Sequence, residues 1–313
     1  AFALLHSRYP GSEWAKKTPY WFNQQPATSN QQPLCQFLVS SCWFLVSDQL
    51  ETVNKKLETP FFMNYTLREL MVAAAAREIR DGDKVFVGMR LPLLGFAVAK
   101  ETHAPSALGI FENGVIRDWP ALESIFTMSD PPNIAGALAC AGLNDVMFLL
   151  QTGRVELGFI GGAEIDRFGN LNTHWVEENG KRLRLPGSGG AADIATMAKR
   201  CIIIMNHEKR RFTAKVHFIT SPGFGDGGDW REREGLSGGG PSRVITSMGV
   251  FSFDPASREM IMSSHHPGIT VDQIKNETGW PLRVASDVRE TLPPTEAELA
   301  AVRKYDPKGV WTS

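Results

Sequence analysis

The chain has 313 residues, with 33 Lys and Arg against 34 Asp and Glu, for a formal net charge of -1 at pH 7. That balance argues against nucleic acid or an anionic membrane surface as the main partner. Hydrophobic residues make up 42% of the chain, with 29 Gly and 19 Pro, which suits a globular α/β protein with a sizeable core and many tight turns. The four cysteines (Cys35, Cys42, Cys140 and Cys201) show no zinc-ligand spacing, so the expectation is reduced, buried thiols in a cytoplasmic protein.

Residues 1–62 differ from the rest. They contain NQQPATSNQQP and a patch rich in Trp and Ser, with no repeating amphipathic pattern. The apolar run from Phe37 to Val46 is shorter than the roughly 20 residues a membrane span needs. It also lies far from the N-terminus, with no compact basic segment before it, unlike a secretory signal. The expected organisation is therefore a leader over 1–62, disordered or not part of the native domain, and a single ordered domain over 63–313. A targeting leader is the alternative.

From Met63 the elements alternate. Thr66-Leu67-Arg68-Glu69 is a capping box, and the run LRELMVAAAAREIR behind it favours helix. Lys84 to Gly88 reads as a buried strand, LPLLGFAVAKETH as a helix with Pro in its first turn, and Ser106 to Phe111 as a strand. Residues 133–151 are expected to be helical, Val155 to Ile160 a strand, Gly187 to Lys199 a glycine-rich turn and helix, and Cys201 to Met205 a strand. After Arg210, RFTAKVHFIT, RVITSMGVFSF and EMIMSSHHPG look like antiparallel strands, with DPAS turning between the last two. Thr295 opens a final helix with a second capping box. The fold class expected is α/β: an open, mainly parallel sheet with helices on both faces, followed by C-terminal antiparallel strands. Ligands of such sheets bind outside the carboxyl ends of the strands.

Several residues at those ends carry possible chemistry. Glu112, in Phe111-Glu112-Asn113-Gly114, follows an apolar strand directly. Desolvation at such a turn makes a carboxylate a better nucleophile, although spacing alone fits an ordinary turn acid better. Gly187-Ser188-Gly189-Gly190 precedes a helix and offers backbone amides to a phosphate or an oxyanion, or else makes a tight packing turn. Neither a Walker loop nor a dinucleotide fingerprint is present there. Asp166 and Asn170, in GGAEIDRFGNLN, either line the same cleft or satisfy turn amides. His207 to Arg211 is a charge cluster at a strand end, and is either a local salt-bridge set or a contact for phosphates or a partner. His265-His266 is no metal site, since neighbours on a strand point to opposite faces.

The stretches RLPLLGFAVAK, APSALGIFENG, FIGGAEIDRFGNLN, GSGGAADIAT, IIIMNHEKRRF, TSPGFGDG and HPGITVDQIKNETG stand in this order. Together they resemble the β subunits of family I coenzyme A transferases, those of the glutaconate type in particular, from about Met63 to near Asp306. The resemblance implies that Glu112, in the family's ENG-type turn, is the nucleophile, with Asn113 and Gly114 beside it. It further implies that Gly187, Ser188, Gly189 and Gly190 serve an oxyanion or CoA. The implied activity moves CoA between an acyl-CoA and a carboxylic acid, glutaconate-like or a 3-oxoacid, by ping-pong through a glutamyl-CoA thioester. No metal or permanently bound cofactor is required, and CoA itself is the substrate. An α-type partner subunit, as α2β2, is implied because the chain shows no α-type half. The alternatives are an acyl-CoA hydrolase of the related ring-opening type and a non-catalytic acyl-CoA-binding subunit, neither of which needs Glu112.

Overall fold

Thr66 caps the first helix of the described residues, as its residue type favours. Its hydroxyl accepts the Glu69 amide at 3.1 Å, and the Glu69 carboxylate accepts the Thr66 amide at 2.8 Å. Two amides that a helix start leaves without partners are thereby satisfied. The computed structural model that shows this describes residues 63–178 and 180–313. The expectations for residues 1–62 lie outside the described residues.

Helix α1 (Leu67–Ala76) is followed by β1 (Lys84–Phe86), α2 (Leu91–Thr102), β2 (Leu108–Ile110) and β3 (Val115–Arg117). Next come α3 (Pro131–Ile134), β4 (Ala139–Cys140), α4 (Leu143–Gln151) and β5 (Leu157–Ile160). Two small hairpins follow, β6 (Glu164–Ile165) with β7 (Leu171–Asn172), and β8 (Trp175–Glu178) with β9 (Lys181–Arg184). The chain continues through α5 (Ala191–Met197), β10 (Arg200–Met205), α6 (Trp230–Arg233), β11 (Pro241–Thr246) and β12 (Gly249–Phe253). It then runs through β13 (Met260–His265), α7 (Val271–Asn276), β14 (Arg283–Glu290) and α8 (Glu296–Tyr305).

Ten strands form one sheet in the order β14-β13-β12-β11-β10-β5-β1-β2-β3-β4. Its centre, from β2 through β1, β5 and β10 to β11, is parallel. Both margins contain antiparallel pairs. The apolar runs of the central strands have no polar side because both faces are covered. Alternate residues therefore enter different cores. Val85, Val87, Leu157, Phe159, Ile202 and Ile204 pack with Val72, Phe96 and Val302 from α1, α2 and α8. Phe86, Ile160, Cys201, Ile203 and Met205 pack on the other side with Val146, Leu150 and Ile194 from α4 and α5. Burying such a side chain contributes about 1.5–3 kcal/mol, so the two-sided burial supplies most of what holds the sheet. Gly158 sets the spacing of one layer: a Cβ there would lie 2.2 Å from Ile194 Cγ2, so α5 rests on β5 closer than any side chain at 158 would permit.

The open α/β sheet with antiparallel strands near its C-terminal end agrees with the sequence pattern, but four local expectations are corrected. Residues 133–151 are not one helix. Gly136 takes φ 68° and Gly142 precedes α4, so the segment divides into α3, the edge strand β4 and α4. RFTAKVHFIT forms no strand; it meets the hairpin β6–β7 through an isolated bridge at Phe212, a second bridge at Ser221 just beyond it, and side-chain bonds such as that of His217 to Glu164. RVITSMGVFSF is two strands, of which β11 extends the parallel centre and only β12 turns antiparallel. Cys140 is exposed on β4, whereas Cys201 is buried as expected.

His207 and His266 are both enclosed where β10, β11 and β13 end. His207 stacks on Phe212 with ring centres 3.7 Å apart, and its Nε2 lies 3.1 Å from Thr278 Oγ1. His266 donates from Nε2 to the Thr246 carbonyl at 2.8 Å. Burial, reinforced by His266, pushes His207 down to about 3. Burial pushes His266 down to about 4 against the opposing Thr246 hydrogen bond. An unfolded histidine titrates near 6.5, so below that pH the unfolded chain binds protons that the folded chain refuses. This contribution is complete above pH about 6.5 and is lost as the pH falls towards 4 and then 3. The expected slope by pH 5 approaches about 1.4 kcal/mol per pH unit for each histidine. Denaturant titrations at pH 7, 6 and 5 measure it, and equal stabilities at all three would contradict it.

Candidate active site

Strand β2 ends at Ile110, and the chain reverses at once into β3. Phe111 donates its amide to the Val115 carbonyl at 2.8 Å, and Gly114 donates to the Phe111 carbonyl at 2.9 Å. Gly114 is required twice over: its φ is 99°, and a Cβ would lie 2.0 Å from the Ala141 carbonyl oxygen. Asn113 clamps the turn from outside by donating to the Met128 carbonyl at 2.7 Å. Phe111 is buried in the core, which leaves Glu112 half-buried at the carboxyl end of the strand.

The Glu112 carboxylate meets the glycine-rich turn. Its Oε1 accepts the Gly190 amide at 3.1 Å, immediately before α5 begins. A Cβ on Gly190 would lie 3.2 Å from Glu112 Oε1 and 2.7 Å from Met147 Cε, so the approach depends on glycine. Gly189 comes next nearest, its missing Cβ 3.8 Å from the same oxygen. Gly187 is placed differently, because its amide donates to the Thr173 carbonyl at 2.8 Å. Ser188 closes the turn by accepting the Ala191 amide at 3.1 Å. Two of the four turn residues thus lie against the carboxylate, and two build the turn.

Asp166 and Asn170 have another use than lining a cleft. They are 4% and 1% exposed. Asn170 Nδ2 donates to both Asp166 oxygens, at 3.1 and 2.9 Å, while its Oδ1 accepts the amides of Gly223 and Gly225, both at 3.0 Å. The pair ties the loop after β6 to the loop at 222–225. Burial raises the Asp166 carboxyl above its ordinary value, opposed by its bonds to Asn170 and to backbone amides. In the cluster at 207–211, Glu208 accepts Arg210 Nε at 2.7 Å and lies 3.2 Å from Arg211 Nε, while the Lys209 amide donates to the Glu277 carboxylate at 3.1 Å.

Some neighbours of the site gave no sequence signal. Met147 from α4, Ala141 beyond β4 and Met128 from an irregular segment reach it only through tertiary packing. Buried Glu164 stands within GGAEIDRFGNLN, but its partners were unforeseeable: His217 Nδ1 at 2.6 Å and Asn172 Nδ2 at 2.6 Å. Among the described residues no group of His, Cys, Asp and Glu is arranged to hold a metal ion. No helix among them is long and apolar enough to cross a membrane.

The fold is an open α/β sheet, a class in which ligands bind outside the carboxyl ends of the strands. The chain belongs to the coenzyme A transferase family, whose model matches residues 68–277. It is 39% identical over 244 residues to the B-type subunit of 3-oxoadipate CoA-transferase from Pseudomonas knackmussii, covering 77% of this chain and 94% of that one. It is 35% identical over 251 residues to the B-type subunit of glutaconate CoA-transferase from Acidaminococcus fermentans, covering 78% and 93%. The crystal structure of that glutaconate enzyme superposes with a TM-score of 0.74 at 34% identity, over 80% of this chain and 98% of that chain. A more distant relative, 26% identical over 250 residues, is the IpdB chain of the cholesterol ring-cleaving hydrolase from Mycobacterium tuberculosis, covering 78% and 96%. The chain is a CoA-transferase enzyme chain of the β type.

The close approach of Gly190 to Glu112 generates a prediction. Gly190→Ala inserts a methyl group between Met147 and the carboxylate. Met147 can yield, so the fold is expected to persist while Glu112 shifts. A displacement near 1 Å lowers turnover by roughly a hundredfold. Transferase assays beside thermal melts measure both effects, and full activity in the variant would mean that the contact does not seat Glu112.

Proposed function

We propose that Glu112 carries CoA as a thioester and that the chain supplies this nucleophile to a two-subunit CoA transferase. The observation that carries the proposal is the Glu112 carboxylate held on the Gly190 amide at the carboxyl end of β2. The carboxylate attacks the thioester carbonyl of the donor acyl-CoA and expels CoA thiolate, giving a mixed acyl-glutamyl anhydride. The thiolate then attacks the Glu112 carbonyl, releasing the donor acid and leaving glutamyl-CoA. An acceptor carboxylate attacks that thioester, and the freed thiolate attacks the acceptor's carbonyl, regenerating Glu112. Splitting one exchange in this way is covalent catalysis.

The Gly190 amide has a defined part in this sequence. Two of the four attacks occur at the Glu112 carbonyl itself, and each places negative charge on a Glu112 oxygen. An amide already 3.1 Å from Oε1 is positioned to stabilise that charge. Loss of one such donor costs about 3 kcal/mol in acyl-transfer sites. Gly189 flanks the same oxygen, Gly187 and Ser188 shape the turn, and Asn113 and Gly114 fix the glutamate's own turn.

The acids exchanged are a glutaconate-like dicarboxylate or a 3-oxoacid, in line with the two B-type relatives. The second subunit is of the A type, with α2β2 the expected assembly, in the cytoplasm. CoA serves as substrate and covalent intermediate, and no permanently bound cofactor enters the scheme. The IpdB relative favours a second reading, hydrolytic cleavage of an acyl-CoA, in which CoA never passes to a second acid. Initial-rate measurements separate the two. Transfer predicts parallel double-reciprocal lines for donor and acceptor, and Glu112→Gln lowers the rate by roughly a thousandfold or more. Turnover that needs no acceptor acid and survives Glu112→Gln favours hydrolysis.

A further inference from the structure

The β8–β9 hairpin is an exposed arm whose base is firmly built. Asn172 Nδ2 donates to the Trp175 carbonyl at 2.6 Å and to buried Glu164 at 2.6 Å. Glu164 also holds His217 Nδ1 at 2.6 Å, and the His217 ring packs on Trp175 with centres 5.6 Å apart. The two strands leave the arm paired, with Leu185 donating to the His174 carbonyl at 2.9 Å and Gly187 to the Thr173 carbonyl at 2.8 Å. The next residues are the turn that touches Glu112 through Gly190.

One face of this arm carries two positioned cations. Trp175 stands opposite Arg184 in register and Glu177 opposite Arg182, so these side chains share a face. The Arg182 guanidinium lies 4.0 Å from the centre of the Trp175 ring. Arg184 Nη1 donates to His174 Nε2 at 3.2 Å, and His174 packs on Phe218. Both arginines are exposed, and no carboxylate whose side chain is described forms an ion pair with either, Glu177 included. Their orientation is thus fixed by aromatic neighbours while their remaining N–H donors face solvent, which lowers the entropic cost of binding an anion.

We infer that Arg182 and Arg184 hold the phosphates at the nucleotide end of CoA, an assignment that rests on the proposed role of CoA at Glu112. Five residues lie between Arg184 and Gly190, a reach of at most about 20 Å, with Arg182 about 7 Å further along the strand. That is the scale of the pantetheine arm joining the CoA sulfur to its diphosphate. Sulfur at Glu112 and phosphates on the arm therefore fit one extended ligand. Guanidinium forks match phosphate oxygens in both geometry and charge.

Equilibrium binding tests this independently of the chemistry at Glu112, because CoA binds whether it is transferred or released. Titration calorimetry on the full chain assembled with its A-type subunit would compare CoA with dephospho-CoA, in wild type and in Arg182→Ala/Arg184→Ala. The double variant is expected to weaken CoA about tenfold or more, with partial recovery in Arg182→Lys/Arg184→Lys. If dephospho-CoA binds wild type and variant equally, the arginines hold the 3′-phosphate. If it weakens in parallel with CoA, they hold the diphosphate. Unchanged CoA affinity in an intact assembly overturns the inference, and so does loss of the A-type subunit, which would make the arm a clasp between subunits.

Discussion

The contact between the Glu112 carboxylate and the Gly190 amide joins parts of the chain that sequence separates by more than seventy residues. It exists because two surfaces approach unusually closely. On one side the turn after β2 is forced by Gly114, where any side chain would strike the Ala141 carbonyl. On the other, α5 rests on β5 over Gly158, which brings the residue before the helix down to the strand ends. A side chain at 114, 158 or 190 disturbs the same contact from a different direction. The parallel centre of the sheet then sets the height of both partners, since β2, β1, β5 and β10 end on one side.

Around this contact the buried polar groups act as ties between loops. Asp166 and Asn170 join the loop after β6 to residues 223 and 225. Glu164, Asn172 and His217 anchor the base of the β8–β9 arm. Each pair exchanges solvation for several hydrogen bonds, so loss of one member leaves its partner buried and unsatisfied. Irregular segments are held to one another in this way. The glycine turn inherits its position from them, because Gly187 pairs with Thr173 at the neck of the arm.

Much of this was legible in the sequence. Both capping boxes at Thr66 and Thr295 form as written, because a cap depends only on residues three apart. The central strands were visible as apolar β-branched runs, and the strand-end position of Glu112 followed from SALGIF. The edges were less legible. The segment 133–151 carries a helical pattern that Gly136 and Gly142 interrupt, and RFTAKVHFIT alternates like a strand but pairs with the β6–β7 hairpin through no more than an isolated bridge at Phe212 and scattered hydrogen bonds. Strand β14 is largely polar and exposed, with Val284 and Val288 packed on one core, so its apolar signature was weak. At the site, the resemblance pointed to Glu112 and the glycine turn, but spacing could not tell that Gly190 rather than Gly187 faces the carboxylate. For Asp166 and Asn170 the residues alone favoured a turn over a cleft, and both are buried with their bonds to loop amides.

The most direct measurement is peptide mass spectrometry of the full chain, assembled with its A-type subunit and exposed to an acyl-CoA donor without acceptor. If Glu112 carries CoA, the peptide containing it gains the mass of CoA, is converted by borohydride to the corresponding alcohol, and loses the adduct when an acceptor acid is added. CoA released steadily with no adduct on that peptide would contradict the assignment.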